Sequence, residues 1–148
     1  MTGMAPRDTD WETRVRTSFA RQAFMATLGA EIVALAPGRV ELGAAFHPGL
    51  TQQHGFFHAG VTSTLADSAA GYAALSLFGA GHGVLTTEFK MNLLNPGRGE
   101  RMRAVGRVIK PGRTLTVASA DVYGVGDFGE VHIATGLFTM IAMPGIED

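Results

Sequence analysis

The sequence predicts an α+β fold in which one strongly curved antiparallel sheet wraps around a long central helix, with an extra helix at the N-terminus. The elements follow in the order helix, two strands, long helix and four strands. The long helical run, residues 59–78, is too apolar to lie on a surface. Eleven of its twenty residues are Ala, Gly or Ser, which are small enough to let strands approach closely.

The length and composition describe one globular domain. A chain of 148 residues predicts a single domain over 1–148, with residues 1–9 expected to form a disordered tail. Hydrophobic residues make up 46% and charged residues 17%, so apolar side chains are in slight surplus. Because surplus apolar side chains are often buried between subunits, the composition favours an oligomer.

The charge pattern excludes several classes of partner. Twelve basic and 13 acidic side chains give a net charge of −1, so neither a nucleic-acid partner nor a membrane-binding basic patch is expected. The absence of cysteine excludes disulfides, thiolate metal sites and a cysteine nucleophile. The first residues contain no apolar signal segment, and Asp67 argues against a membrane span over 59–78. We therefore expect a cytoplasmic protein.

The first helix and the first two strands are marked by local patterns. Trp11, Val15 and Phe19 recur every four residues, which predicts an amphipathic helix over 10–28 with Asp10 as its N-cap and Gly29 after its end. Strands over 30–36 and 39–46 follow, joined by the turn pair at 37–38.

The second half of the chain has an antiparallel β pattern. Strands are predicted over 84–94, 101–109, 114–124 and 131–143. In the first of them, a strict period of two would place Thr86 and Glu88 on the same face of the sheet.

Asp67 is the only charged residue in the run 59–78. A carboxylate on a buried helix is costly unless it is paired or used in chemistry. Asp67 cannot act as a helix cap, because it lies two turns inside the helix. Two interpretations remain: an ion pair with an arginine from a strand, or a general base or nucleophile in a site of low dielectric constant.

The start of the same helix offers a second chemical element. Helix N-termini carry free N–H groups and the positive end of the helix dipole. Ala59 and Gly60 follow His58 and are small, so a ligand oxygen could approach the backbone closely. An amide aimed at a carbonyl oxygen that gains negative charge forms an oxyanion hole. Gln52 and His58 are polar side chains near the same place.

Three segments of the chain resemble a known family. They read "QQHGFFHAGVTSTLADSAAGYAA", "TTEFKMNLLNP" and "KPGRTLTVASADVY". They are similar to the hotdog-fold acyl-CoA thioesterases of the PaaI-like group, which belongs to phenylacetic acid degradation. The resemblance extends from about Phe19 to Met140. It implies a hotdog fold assembled into homodimers and usually homotetramers, with acyl-CoA as the substrate. We expect no cofactor or metal.

The resemblance also implies roles for individual residues. Asp67 would be the base or nucleophile, and the Ala59 amide would polarise the thioester carbonyl. His58 and Gln52 would shape the site, and the hydroxyl of Thr86 would assist. This chain departs from the family's usual residues at two positions, because it has Ala59 in place of a frequent Gly and Gln52 in place of a frequent Asn.

The spacing of Ala59 and Asp67 has a geometric consequence. The two residues are eight positions apart, which corresponds to roughly 12 Å along one helix. A base must come within about 3 Å of its target, or act through one water. Two antiparallel helices across a two-fold axis can supply both groups to one thioester, so the spacing predicts two equivalent sites at a dimer interface.

Two loops are expected to bind the CoA phosphates. The resemblance points to the loop after the strand 84–94 and to the hairpin "KPGR". Arg and Lys suit phosphate as a planar fork and a point charge respectively. The substrate-binding candidates are Asn95, Gly97, Arg98, Lys110, Gly112 and Arg113. The alternative for each is an ordinary solvated turn residue.

The sequence leaves two alternatives to thioester hydrolysis. A non-catalytic acyl-CoA-binding protein would be expected to lack the acid at position 67. A hotdog hydratase or dehydratase would use an Asp and a His five residues later, a spacing that Asp127 and His132 have in a late hairpin. His54 and His58 have metal-ligand spacing, but no third ligand accompanies them. The acyl group stays open, with aromatic and medium-chain groups suited equally by four candidate lining residues, Phe56, Phe57, Tyr72 and Phe78.

Overall fold

A computed structural model describes residues 4–146 and residue 148. Three α-helices and six strands make up the described chain. The helices are α1 (Trp11–Arg21), α2 (Ala23–Leu28) and α3 (Ala59–Leu75), with a short 3₁₀ turn at Pro48–Leu50. The strands are β1 (Ala30–Ala36), β2 (Arg39–Ala45), β3 (His82–Leu93), β4 (Arg101–Lys110), β5 (Leu115–Gly126) and β6 (Gly129–Pro144).

The six strands form one antiparallel sheet. Their order is β1-β2-β4-β5-β6-β3, so β1 and β3 are its edges. Register shifts interrupt β1, β3, β4 and β6, and such bulges bend strands and increase their twist. The sheet curves around α3, which contacts β2, β3, β4, β5 and β6. The predicted hotdog architecture is confirmed.

The small residues of α3 allow the sheet to close tightly on the helix. Ala66, Ala69, Ala70 and Ala73 are fully buried. A Cβ added at Gly106 of β4 would lie 2.2 Å from the carbonyl carbon of Ala69. The backbone of β4 therefore contacts the backbone of α3. A larger residue at Gly106 would prevent this contact.

The N-terminal helical region is broken, whereas one helix was predicted over 10–28. Gln22 has an extended backbone, with φ −78° and ψ 97°, and separates α1 from α2. Gly29 ends α2 in the left-handed conformation, as its position in the sequence predicted. Asp10 is the N-cap residue of α1, but its side chain makes no capping hydrogen bond.

Arg14 of α1 ties the N-terminal region to the end of α3. Its guanidinium donates to the carbonyl oxygens of Leu75, Phe78, Gly79 and His82 at 2.7–3.2 Å. These include carbonyls that a helix end leaves without intrahelical partners. Helix α3 ends at Leu75, three residues before the predicted end. The Arg14 side chain donates hydrogen bonds to the carbonyl oxygens of the turn that follows.

The expected tail over residues 1–9 differs from the structure at residues 4–9. Met4 packs against the core, and Asp8 forms an ion pair with Arg14 at 3.2 Å. Arg7 donates to the carbonyl oxygen of Gly112 at 3.4 Å. The sequence-based expectation missed the contacts of Met4 and Arg7 because their partners lie far along the chain. Residues 1–3 lie outside the described residues. None of the helices in the described part of the chain has the length and hydropathy needed to cross a bilayer.

Candidate active site

His58 caps the start of α3. Its backbone is extended, and its Nδ1 accepts the N–H of Gly60 at 2.7 Å. The His58 carbonyl oxygen accepts the N–H groups of Val61 and Thr62. No hydrogen-bond partner of the Ala59 N–H is found among the described residues. The cap therefore uses the amide next to Ala59 and leaves the Ala59 amide available to a ligand.

A cavity of about 390 Å³ opens beside this amide. Gln52 and Ala59 both line it, so the structure brings these two predicted residues together. The Gln52 side-chain oxygen accepts the backbone N–H of His54, which fixes the amide within its own loop. The remaining lining comes from Phe56, Phe57, Thr62, Leu93, Leu94, Asn95, Pro96, Gly97 and Ile133. We call this cavity the amide pocket.

Asp67 lies half-buried in the middle of α3 and is bonded to the next strand. The Thr86 hydroxyl of β3 donates to Asp67 Oδ1 at 2.7 Å. The neighbouring hydroxyl, that of Thr87, donates instead to the carbonyl oxygen of Thr139. Burial raises the pKa of Asp67 above its usual range, and the Thr86 hydrogen bond opposes this by stabilising the carboxylate.

A bulge in β3 sets this contact. The register shifts between Thr86 and Glu88, so the two residues face opposite sides of the sheet, contrary to the predicted period of two. Thr86 contacts Asp67 on the helix side, whereas Glu88 accepts a hydrogen bond from Thr139. The extra residue in the strand thus directs the Thr86 hydroxyl toward the acid.

Asp67 lines a second cavity, of about 330 Å³. Its other lining residues are Ser18, Gln22, Ser68, Gly71, Tyr72, Val84, Leu85, Thr86 and Asp148. We call it the acid pocket. It shares no lining residue with the amide pocket. One chain therefore holds the Ala59 amide in one cavity and the Asp67 carboxylate in another, roughly 12 Å apart along α3.

The predicted CoA-binding residues fall into two groups. Asn95 and Gly97 line the amide pocket. The Arg98 guanidinium lies over the ring of Phe56, another lining residue, 4.9 Å from its centre. The hairpin 110–113 that carries Lys110, Gly112 and Arg113 lies at the opposite end of α3, where Gly112 shares a cavity with Leu77 and Phe78. A single chain does not bring the two groups together.

The candidate acyl-lining residues are also divided. Phe56 and Phe57 line the amide pocket, Tyr72 lines the acid pocket, and Phe78 lies beside the hairpin 110–113. The hydratase spacing does not form a pair, because Asp127 lies in the β5–β6 turn. His132 Nε2 instead lies 3.0 Å from Asp121.

Three lining residues of the acid pocket come from the two ends of the chain and were not identified from the sequence. Ser18 and Gln22 come from the N-terminal helices, and Asp148 comes from the far end of the chain. Each looks like an ordinary surface residue in its local pattern. The only signal is the apolar face of α1, which predicts that this helix packs on the domain without saying where.

Comparisons with known proteins agree with this architecture. Residues 54–127 match the thioesterase superfamily. A thioesterase family protein from Silicibacter pomeroyi is 56% identical, with a TM-score of 0.90 over 91% of this chain and 99% of that one. A conserved protein from Pseudomonas aeruginosa is 28% identical, with a TM-score of 0.75 over 82% and 94%. No curated protein matches the chain significantly.

A more distant likeness supports the fold alone. The E. coli PaaI protein from the phenylacetic acid degradation operon is 19% identical, with a TM-score of 0.81 over 92% of this chain and 95% of that one. The superfamily match spans half of the chain and includes both His58 and Asp67. The chain therefore belongs to the thioesterase superfamily and is a thioester hydrolase of the hotdog fold.

Proposed function

We propose that the protein hydrolyses acyl-CoA thioesters to a free acid and CoA, with Asp67 as the general base or nucleophile and the Ala59 amide as the oxyanion donor. The observation that carries the proposal is the setting of Asp67. A half-buried carboxylate with a raised pKa lines a cavity, and the Thr86 hydroxyl is its only hydrogen-bond partner among the described residues. The ion-pair interpretation loses support, since no arginine or lysine pairs with Asp67 among the described residues.

The chemistry balances by either of two routes. In the first, Asp67 takes a proton from water as the water oxygen attacks the thioester carbonyl, and the proton is then passed to the departing CoA thiolate. In the second, the Asp67 carboxylate attacks the carbonyl and the C–S bond breaks to release CoA thiolate; water then cleaves the mixed anhydride, which regenerates the Asp67 carboxylate and supplies the proton that the thiolate takes up. Negative charge develops on the carbonyl oxygen in both routes. The Ala59 N–H and the positive end of α3 would stabilise that charge.

A homodimer would unite the two pockets. The edge strand β3 exposes Leu85, Phe89 and Leu93, which are 48–58% exposed and would be covered by a second copy. Thr86, near the start of β3, lines the acid pocket, and Leu93, at the end of β3, lines the amide pocket. Antiparallel pairing of two β3 strands would place the start of one beside the end of the other. Each acid pocket would then face the partner's amide pocket.

The same pairing would assemble the CoA-binding groups. Leu115, just after the hairpin 110–113, pairs with Ile141, which in turn pairs with Leu85 near the start of β3. The partner's hairpin would therefore lie toward the end of β3 that leads into Asn95. Lys110 and Arg113 of one copy and Arg98 of the other would contact one CoA. We further propose that two such dimers assemble into a homotetramer.

The proposed function is tested with a panel of acyl-CoA esters and a measurement of free thiol release. Hydrolysis predicts release from at least one ester, with one acid formed per thiol. Acyl-CoA binding without thiol release would favour the non-catalytic alternative. Hydration of an enoyl-CoA without thiol release would favour the hydratase.

A further inference from the structure

The acid pocket has a polar end. Asp67 and Thr86 line one side of it. Further along α3, Ser68, Gly71 and Tyr72 line the same pocket. There the Tyr72 and Ser18 hydroxyl oxygens lie 3.2 Å apart, and both side chains are buried. Two hydroxyls in one hydrogen bond use only one of their two hydrogens. The second hydrogen is therefore available to a ligand.

Asp148 completes this end of the pocket. Its Oδ2 accepts the backbone N–H of Val84 at 2.8 Å, which holds the carboxylate over the cavity. No partner of its Oδ1 is recorded among the described residues. Another cavity adjoins the acid pocket at this end and opens toward the surface. It is lined by Ser18, Arg21, Gln22, Tyr72 and Asp148.

The distance from the acid fits the length of a short acyl group. Asp67 and Tyr72 are five residues apart, or about 7.5 Å along α3. The pocket extends from Asp67 toward the C-terminal end of the helix. An acyl chain whose carbonyl is held beside Asp67 would thus reach the hydroxyl pair and Asp148 with its far end.

We propose that Ser18, Tyr72 and Asp148 form a specificity site for the far end of the acyl group, which accepts a neutral hydrogen-bonding end and rejects an anionic one. The inference rests on the proposed function and concerns residues that lie largely outside the superfamily match, since Ser18 and Asp148 flank the segment 54–127. A neutral hydroxyl can donate to Asp148 and accept from the hydroxyl pair at once.

The charges around the site explain the rejection of anions. A carboxylate end would lie beside Asp148 and in the same pocket as Asp67, and like charges in a partly desolvated pocket repel. Arg14 and Arg21 both interact electrostatically with Asp148 and favour its charged form. The Arg14 guanidinium is bound by the carbonyl oxygens after α3 and by Asp8. Arg21 lines the adjoining cavity, but it is exposed to solvent, which screens its charge.

The test uses three esters of equal chain length: hexanoyl-CoA, its omega-hydroxy analogue and adipoyl-CoA. We expect the wild-type kcat/KM to be about tenfold higher for the hydroxy ester than for hexanoyl-CoA, which is the scale of one good hydrogen bond. The value for adipoyl-CoA should be lower than for hexanoyl-CoA by a similar factor. Tyr72→Phe should lower the ratio of the hydroxy ester to hexanoyl-CoA several-fold.

Asp148→Asn separates charge from shape. It keeps the size of the side chain, so the ratio of adipoyl-CoA to hexanoyl-CoA should rise about tenfold. The matched control is Asp127→Asn, an exposed turn residue of the same chemistry outside the acid pocket, which should leave all ratios unchanged.

The outcomes distinguish this inference from the proposed function. Hydrolysis of the three esters at equal rates, or unchanged ratios in Asp148→Asn, would overturn the specificity site and leave the proposed function intact. Thiol release from other esters but from none of these three would do the same. Absence of thiol release from every acyl-CoA would overturn both.

Discussion

The start and the middle of α3 present opposite electrostatic environments to a ligand. At the start, exposed backbone and the positive end of the helix dipole stabilise negative charge beside the Ala59 amide, which has no hydrogen-bond partner in the described part of the chain. In the middle, burial destabilises negative charge and raises the pKa of Asp67. An oxyanion donor needs the first environment, and a reactive carboxylate benefits from the second. The difference shows why one helix can carry both groups only at separate positions.

The largest expected effect comes from removing the carboxylate in the middle of α3. Asp67→Asn keeps the size of the side chain and can still accept the Thr86 hydroxyl, but it cannot act as a base. We expect kcat to fall at least about a hundredfold with KM little changed, because general bases contribute on that scale. Steady-state thiol release measures it. Near-wild-type activity in a folded variant would contradict the catalytic assignment of Asp67.

Mixed dimers test whether the two environments meet across subunits. Asp67→Ala removes only the acid, and Ala59→Pro removes only the amide hydrogen. Proline is well tolerated at this first helical position. Each homodimer has two defective sites, whereas a heterodimer has one site with both intact groups. Purified with two different tags, the heterodimer should regain up to about half of the wild-type kcat per dimer.

Two readouts make the mixed-dimer result decisive. A folded heterodimer with no more activity than either homodimer would show that both groups act from one chain. The monomer and dimer populations, measured by sedimentation, serve as the control, because Ala59→Pro must not prevent assembly.

His58 tests the start of α3 alone. His58→Ala removes the acceptor of the Gly60 N–H and should lower the free energy of unfolding by about 1 kcal/mol, the usual effect of losing a cap. The freed Gly60 amide should disorder the oxyanion site, and we expect kcat/KM to fall about tenfold. His58→Asn is the matched control, since Asn is a good N-cap. Equal losses in both variants would mean that the imidazole acts on the substrate itself.

The sequence predicts the elements of this fold better than it predicts their contacts. The small residues of α3 and the alternation in β2 encode their own environments, so the sheet and the central helix follow from local patterns. The break at Gln22 does not, because it depends on how α1 and α2 pack. The β3 bulge is equally invisible to a period of two, although it orients Thr86 toward Asp67.

The site divides in the same way. Ala59 and Asp67 stand out because a helix start and a lone buried charge have a physical meaning within one segment. Ser18 and Asp148 do not, because their place in the acid pocket arises from folding the two ends of the chain onto α3. Residues brought together over such distances leave no local signal in a single sequence.

A smaller effect separates stability from activity at Asp67. Its folded-state pKa is raised above its unfolded value, so the unfolded state loses its proton first as the pH increases. The free energy of unfolding therefore falls as the pH rises from the unfolded to the folded pKa, and the loss is complete above the folded pKa. Asp67→Asn should have a higher Tm than wild type at neutral pH, and the gap should narrow in acid. Thermal unfolding at matched protein concentration measures it, and a lower Tm at neutral pH would contradict the burial argument.

The smallest effect is expected farthest from the reacting atoms, at the hairpin 110–113. Lys110→Ala and Arg113→Ala should raise KM for acyl-CoA several-fold and leave kcat nearly unchanged, because the phosphates are bound equally in the ground and transition states. The matching pantetheine ester lacks the nucleotide, so its KM should not change. Salt screens exposed charges, and the wild-type KM should accordingly rise with ionic strength.

The control for general charge effects is Arg107→Ala. Arg107 lies in β4, the strand that leads into the hairpin, and it pairs with Asp121. Equal changes with acyl-CoA and the pantetheine ester would remove the hairpin from CoA recognition. Such a result would also count against the proposed antiparallel pairing of the two β3 strands, because that pairing places the hairpin 110–113 near the partner's amide pocket.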